Sequence, residues 1–308
     1  MGLVELKAAL GDKAIAGEPL SKHTTFGIGG PADLFITAHT LPELCRYVRL
    51  AWEQGVPYFI LGSGANLLVS DKGIRGLVIQ NQCQAVQIFP GEEEQTGLII
   101  AESGAAIRTV ARQAISQGLA GLEWAVDVPG TVGGAVVGNA GAYGGYVSDS
   151  LRGVTIFTPK DGECWWSADE LEFGYRTSRL KRNQHADGPA PVVLSATFAL
   201  CREDATRVQE RAAEYSQRRA ESQPTGLSAG SVFKRTERYP AGFLIENAGL
   251  KGMQIGGAVV SPQHANFIVN VGTATARDVQ QLIELIRKTV YARFKIQLEL
   301  EIELVGEW

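Results

Sequence analysis

Two glycine-rich stretches hold the residues whose types and spacing most suggest chemistry. One is Pro129-Gly130-Thr131-Val132-Gly133-Gly134-Ala135-Val136-Val137-Gly138-Asn139-Ala140-Gly141-Ala142-Tyr143-Gly144-Gly145, the other Gly62-Ser63-Gly64-Ala65-Asn66-Leu67. Glycines at this density forgo helix and strand stability and leave bare backbone that can approach a ligand closely or adopt positive φ. The longer stretch therefore predicts a flat or anionic ligand. The shorter one follows an apolar strand ending at Leu61, so its amides form a turn able to nest an anion. No Gly-Lys-Ser/Thr follows it and no helix is expected to open after it, which excludes a phosphate-binding P-loop and a Rossmann fingerprint. Alone it reads as a tight turn. Paired with the longer run, it suggests two loops closing on a pyrophosphate and an extended planar cofactor, a dinucleotide held without a Rossmann fold.

Composition narrows the classes. The 308 residues are 45% hydrophobic and 20% charged, enough chain for two or three packed units. A formal net charge of -4 argues against a protein that wraps nucleic acid. No apolar run is long enough to cross a bilayer, and Met1 to Leu10, with Glu5, lacks the pattern of a secretory leader. Cys45, Cys83, Cys164 and Cys201 are scattered, with no close pair and no histidine at zinc-ligand spacing. They read as buried thiols in a reducing cytoplasm, and no metal is expected.

The elements that must position the two loops are mixed. Thr40-Leu41-Pro42-Glu43 has the form of a capping box and opens a helix to about Gln54, with Leu44, Val48 and Trp52 on one face. Tyr58 to Leu61, Leu77 to Ile79 and Leu98 to Ala101 read as short strands. A helix from Ala106 to Gln117 turns Ile107, Val110, Ala111, Ala114 and Ile115 inward and stops at Gly118. Val154 to Thr158 and Glu163 to Ser167 flank the turn Lys160-Asp161-Gly162, and Val192 to Leu200 is another strand. A charged helix, Glu203 to Glu221, links to a C-terminal α+β unit. There, strands Gly257 to Ser261 and Phe267 to Val271 precede a helix from Ala276 to Phe294. A final strand, Gln297 to Val305, alternates Leu298, Leu300, Ile302 and Leu304 with Glu299, Glu301 and Glu303.

Six blocks together resemble a known family. Thr24-Thr25-Phe26-Gly27-Ile28-Gly29-Gly30-Pro31-Ala32, Gly62 to Leu67, Pro129 to Tyr143, Phe173-Gly174-Tyr175-Arg176-Thr177-Ser178, Ser228-Ala229-Gly230-Ser231-Val232-Phe233-Lys234 and His264-Ala265-Asn266-Phe267 resemble, in order, the UDP-N-acetylenolpyruvoylglucosamine reductases. The resemblance implies an α+β protein: a two-part FAD-binding region of the vanillyl-alcohol-oxidase-like (PCMH-type) fold, followed by a smaller α+β substrate-binding domain. It places the FAD-binding domain at 1-201, with subdomains of about 1-80 and 81-201, and the substrate domain at 202-308. By length and motif spacing the chain looks like the shorter subtype, which lacks an inserted tyrosine loop.

That resemblance implies a flavoenzyme of bacterial wall synthesis. NADPH reduces a non-covalently bound FAD, which then reduces the enolpyruvyl ether of a UDP-sugar to a lactyl ether. Cofactor residues by this likeness are Gly62, Ser63, Gly64, Ala65, Asn66 and Leu67, with Pro129, Gly130, Thr131, Gly133, Gly134, Asn139, Ala140 and Gly141. Hydride addition to the alkene leaves enolate-like charge that requires cationic or donor groups and a proton. Arg176 matches the family arginine, whose planar fork can hold a carboxylate bidentately. Ser231 matches the proton donor; read alone it is a turn hydroxyl bonding local backbone. Glu301 matches a C-terminal glutamate; read alone it is the middle of three carboxylates on a solvated strand face. Tyr175, Arg218, Lys234 and Asn266 are expected at the substrate, and Arg218 and Arg219 could hold its diphosphate.

The chain also departs from the family pattern. Leu300-Glu301-Ile302-Glu303 stands where Pro-Glu-Val-Arg is common, which keeps Glu299 and Glu303 in view as alternatives. Phe243 replaces a frequent lysine and Arg235 a usual asparagine. His23 and His264 read as hydrogen-bonded structural residues without a chemical role. The protein is expected to be a cytoplasmic monomer that binds no nucleic acid and no membrane. A flavin oxidase and an inactive FAD- or UDP-sugar-binding module stand as the rival readings.

Overall fold

The computed structural model describes residues 2–91, 95–183 and 190–308; Met1, at the head of the stretch read for a leader, lies outside them. Helices are α1 Gly2–Leu10, α2 Leu41–Glu53, α3 Ile107–Ser116, α4 Val132–Val137, α5 Arg179–Arg182, α6 Ala205–Ser222, α7 Ala241–Asn247 and α8 Ala276–Phe294. Strands run β1 Ile15–Ala16, β2 Ala32–Ala38, β3 Tyr58–Leu61, β4 Leu67–Val69, β5 Ile74–Asn81, β6 Val86–Pro90, β7 Thr96–Glu102, β8 Leu119–Ala120 and β9 Gly141–Ala142. They continue with β10 Gly145–Tyr146, β11 Leu151–Thr158, β12 Gly162–Ser167, β13 Val192–Arg202, β14 Gln254–Ile255, β15 Ala258–Val260, β16 Ile268–Asn270 and β17 Glu303–Val305.

The chain forms two compact units that do not follow chain order. One gathers residues up to Ala14, Ile36–Gly62 and Ile79–Arg219; the other gathers Ile15–Phe35, Ser63–Val78 and Ala220–Trp308. The first is built on an antiparallel sheet of order β12-β11-β13-β7-β6, with β8 also paired to β13. The run Val192-Val193-Leu194 through Phe198 is apolar on both faces because β13 is the central strand. The inward stripe of α3 and the residues Val132, Ala135 and Val136 of α4 share a core with Ile99, Val154, Ile156 and Phe198.

In the second unit β14, β15 and β16 form an antiparallel sheet, while β4 and β17 pair in parallel. Val279, Leu282, Ile283, Ile286 and Val290 of α8 pack with Leu244 and Ile245 of α7 and with Phe26, Leu68 and Phe233. The N-terminus of α8 is closed twice. Thr275 and Asp278 form a capping box, and the Asp71 carboxylate accepts from the Ala276 amide at 2.8 Å and the Arg277 amide at 3.0 Å.

Most predicted elements stand within a residue or two of their expected bounds, and four details differ. Trp52 is 44% exposed, and Tyr47 and Ala51 join Leu44 and Val48 on the buried face of α2, since eight residues overrun the 3.6-residue period. Cys83 is buried and Cys45 half-buried, but Cys164, on edge strand β12, and Cys201, near the end of β13, are exposed. The glycine run folds partly as helix α4, because Val132, Ala135 and Val136 gain a core face. The final strand is confined to Glu303–Val305, because its partner changes midway. The Glu299 carbonyl and Glu301 amide bond Lys234 and Val232, whereas the Glu303 amide turns to the Asn66 carbonyl.

Asp71→Ala should destabilise the protein by about 1–2 kcal/mol, the usual worth of a lost helix cap, with α8 the element that loosens. A shift of the urea midpoint at constant slope reads the effect; an unchanged midpoint would show that the Thr275–Asp278 box suffices.

Candidate active site

In the first unit the glycine run and the end of β3 meet. Thr131 caps α4, its Oγ1 accepting from the Gly134 amide at 3.4 Å. A Cβ at Gly62 would stand 2.5 Å from that same Oγ1, so glycine there permits the close approach of the two stretches. The Val132 and Gly133 amides are already engaged by the Ala105 and Ser103 carbonyls. Gly134 is a different case. It is exposed and helical, and a Cβ there would meet nothing closer than Thr131 Oγ1 at 3.6 Å. Alanine would favour the helix by about 1 kcal/mol. Among the described residues no neighbour requires glycine at 134, whereas a flat ligand lying against α4 would. A cofactor such as FAD fits this bare face.

Beyond α4 the backbone is held in unusual conformations. Among the described residues five non-glycines have positive φ, and four of them, Asn139, Tyr143, Glu172 and Arg176, fall between 139 and 176. Such strain concentrates at functional sites. Tyr143 (φ 54°) and Gly144 (φ 91°) form the turn between β9 and β10. Gly174 and Thr177 exchange backbone hydrogen bonds of 3.0 and 3.2 Å, leaving Tyr175 and Arg176 at the tip of a second turn, with Arg176 at φ 56°. The Arg176 guanidinium passes 5.3 Å from the Tyr175 ring centre and donates to the Gly141 carbonyl at 2.7 Å. Ser178, fully buried, donates to the Val137 carbonyl at 2.7 Å and caps α5.

Helix α6 brings further groups to the same unit. Arg211 grips the buried Glu123 carboxylate through Nε and Nη2 at 3.0 and 2.6 Å, and Ser216 donates to Asp127 at 2.5 Å. Asp127 also accepts from Arg112, and these bonds, led by that from Ser216, hold its carboxyl below the ordinary range. Tyr215 stacks on Tyr143 with centroids 5.0 Å apart. The buried Tyr143 hydroxyl lies beside the Arg219 guanidinium without a formed hydrogen bond; burial pushes the phenol up and the guanidinium down. Arg218 is exposed and paired with Glu214. Of the two arginines considered for an anion, Arg219 is the desolvated one. Tyr143, Tyr215 and Arg219 as a group escaped the sequence reading, because nothing in the sequence signals that α6 packs there.

The second unit holds the other predicted residues. The segment Ser231–Lys234 runs between two others. On one side Ser231 bridges Phe267, and the Asn266 side chain, 7% exposed, accepts from the Phe233 amide and donates to the Phe233 carbonyl at 3.0 and 2.8 Å. On the other side Phe233 bridges Leu300, and the Glu301 amide donates to the Val232 carbonyl at 2.9 Å. The Glu301 carbonyl accepts from Asn66 Nδ2 at 3.0 Å, which brings the shorter glycine stretch to the same strip. The amides of Ser63, Gly64, Ala65 and Asn66 donate to no described residue, as an anion nest requires. Glu299, 75% exposed in its side chain, pairs with Lys234 at 3.3 Å. Both histidines are structural in this setting: His23 Nε2 meets Glu18 at 3.0 Å, and His264 Nδ1 accepts from the Asn266 amide at 3.2 Å. Among the described residues no group of side chains could hold a metal, and no helix is long and apolar enough to cross a membrane.

Comparison with known proteins agrees with this geometry. Residues 32–167 match the FAD binding domain family, and residues 223–305 match the C-terminal domain of UDP-N-acetylenolpyruvoylglucosamine reductase. The fold and the bare face of α4 thus define an FAD-dependent oxidoreductase, with the two-part flavin-binding region and smaller α+β domain that the sequence led us to expect. The UDP-N-acetylenolpyruvoylglucosamine reductase of Alkaliphilus oremlandii is 41% identical over 96% of this chain and 94% of its own length, and that of Caldanaerobacter subterraneus is 42% identical over the same shares. The crystal structure of the Thermus caldophilus reductase superposes with a TM-score of 0.79 at 35% identity, covering 94% of this chain and 97% of that one. The chain belongs to the UDP-N-acetylenolpyruvoylglucosamine reductase family.

Two measurements check the site. Gly134→Ala should raise the stability of the flavin-free protein by up to about 1 kcal/mol while lowering bound flavin per chain; full flavin content would remove Gly134 from the cofactor face. Burial holds the His264 imidazole below its ordinary value, so on acidification the unfolded chain takes up that proton first. Stability is therefore complete above the ordinary imidazole value of about 6.5 and falls as pH drops towards the lower folded value. His264→Gln should flatten the pH dependence of the unfolding midpoint on the acid side of about pH 7.

Proposed function

We propose that the protein reduces the enolpyruvyl ether of UDP-N-acetylglucosamine enolpyruvate to UDP-N-acetylmuramate, a step of peptidoglycan precursor synthesis, with NADPH as the source of hydride. It does so as a monomer in the cytoplasm. Residues 1-201 carry the non-covalent FAD, the glycine stretches at 62–67 and 129–141 lying along it, and residues 202-308 cover the substrate. The match of 32–167 to a flavin-binding family and of 223–305 to the reductase C-terminal domain supports this division.

The observation that carries the reading is Arg176: a strained arginine at a turn tip, bonded to the glycine run, in a chain of this family. Bound flavin supplies the hydride that adds to the alkene. Charge then builds on the neighbouring carbon and its carboxylate, and Arg176 meets that carboxylate with its planar fork. Ser231 supplies the proton from its hydroxyl, a weak acid that requires its oxygen to be stabilised as the proton leaves. Glu301, anchored by its backbone to Val232 and Asn66, is assigned with Arg176 to stabilising the enolate. Asn266 acts through the strip, fixing Ser231–Phe233 by its two bonds to Phe233. Tyr175 and Lys234 line the substrate, and Arg218 and Arg219 supply positive charge to its diphosphate.

Purified protein should be yellow, lose its colour with NADPH under anaerobic conditions, and regain it on addition of the enolpyruvyl UDP-sugar. Recovery with oxygen alone would make it an oxidase, and colour without bleaching a binding module. Ser231→Ala should leave reduction by NADPH unchanged and slow reoxidation by substrate about 10²–10⁴-fold, the range of a general acid. Equal loss in both half-reactions would remove Ser231 from the proton transfer.

A further inference from the structure

The turn that carries Arg176 is bonded at its foot by the side chain of Asn139. Asn139 closes the C-terminal end of α4; it is 4% exposed and itself left-handed, at φ 42°. Its Nδ2 donates to the Gly174 carbonyl at 3.1 Å, the foot of the turn whose tip is Arg176. Its Oδ1 accepts from the Ser148 amide at 3.1 Å, and its backbone carbonyl receives Arg176 Nη1 at 3.5 Å. One residue thus ties the turn, the guanidinium and the segment after β10 together. Both ends of its side-chain amide are engaged by the chain.

We propose that Asn139 is the positioning residue for Arg176, setting where the guanidinium meets the substrate carboxylate. This rests on the assignment of Arg176 to that carboxylate. Asparagine suits the post for two reasons: it tolerates the left-handed region better than other side chains, and its amide offers a donor and an acceptor at opposite edges. With the donor gone, the foot of the turn is released, and Arg176 retains its charge but not its direction.

The test compares two ligands. UDP-N-acetylmuramate bears the carboxylate and UDP-N-acetylglucosamine does not. Asn139→Gly keeps the left-handed backbone and removes both side-chain bonds. It should weaken UDP-N-acetylmuramate about tenfold, the worth of one well-placed hydrogen bond, and leave UDP-N-acetylglucosamine unchanged, by calorimetric titration of the flavin-loaded protein. Both titrations are run at equal flavin occupancy, because the stretch that holds Asn139 is also assigned to the cofactor. In the Arg176→Lys background Asn139→Gly should add no further loss. Asn139→Asp, which keeps the acceptor for Ser148 and loses the donor to Gly174, should show the same selective weakening and covers the case in which the glycine variant fails to fold. Equal weakening of both ligands at equal flavin occupancy, or additive losses, would overturn the proposal. If Arg176→Lys alone bound UDP-N-acetylmuramate as the parent does, the assignment of Arg176 would fall and this proposal with it.

Discussion

The bond from the Arg176 guanidinium to the Gly141 carbonyl, 2.7 Å long, constrains everything around the candidate active site in the first unit. It ties the turn Gly174–Thr177 to the glycine run, and Arg176, which makes it, has a left-handed backbone. Each residue so held costs on the order of 1–3 kcal/mol, and four of them occupy one short region. The surroundings offset that strain. Val132 and Val136 are fully buried in the core beneath the run, Ser178 fastens the far side of the turn to Val137, and Asn139 fastens the near side to Ser148. The strain is local because the packing beneath it is ordinary.

The second unit solves a different problem by a different route. Ser231 lies next to Val232 and Phe233, each 1% exposed, so the segment cannot turn over without bringing core residues into water. Backbone bonds on both sides fix its register: Val232 to Asn266 and Glu301, and Lys234 to Glu299. Glu301 is distinguished from its neighbours by this register. Its amide and carbonyl bond Val232 and Asn66, while Glu299 reaches out to Lys234 and the Glu303 amide turns to Asn66. Three glutamates that alternate identically in sequence therefore have three different sets of bonds.

Local pattern made much of this legible. The capped helix at Thr40, the hairpin around Gly162 and the apolar stripe of α8 follow from short-range chemistry and stand where it put them. What escaped were pairings between distant segments. Thr25 donates to the Ser228 carbonyl, Asn270 to the Phe26 carbonyl, and β4 pairs in parallel with β17, so that residues 15–35 and 63–78 pack with the C-terminal unit. No periodicity within any of these segments announces its partner. The final strand failed for the same reason: its alternation is real, yet the partner that would continue it changes at Glu301. The order of the motif blocks, and not the period of any element, led from sequence to family.

Glycine density located the site but could not say what each glycine does. Gly62 is explained by the chain, since a side chain there would strike the Thr131 hydroxyl that caps α4. Gly134, three residues past the same threonine, is explained by no described neighbour, and its bare surface is the better witness to a ligand. The arginines divide the same way. Arg218 pairs with Glu214 at the surface, whereas Arg219 is desolvated beside a buried phenol, with the Asp127 carboxylate near enough to favour its charge. A charge kept in that state costs stability unless a ligand completes it. In both pairs burial and neighbours, not position in the motif, tell apart residues that the sequence presents alike.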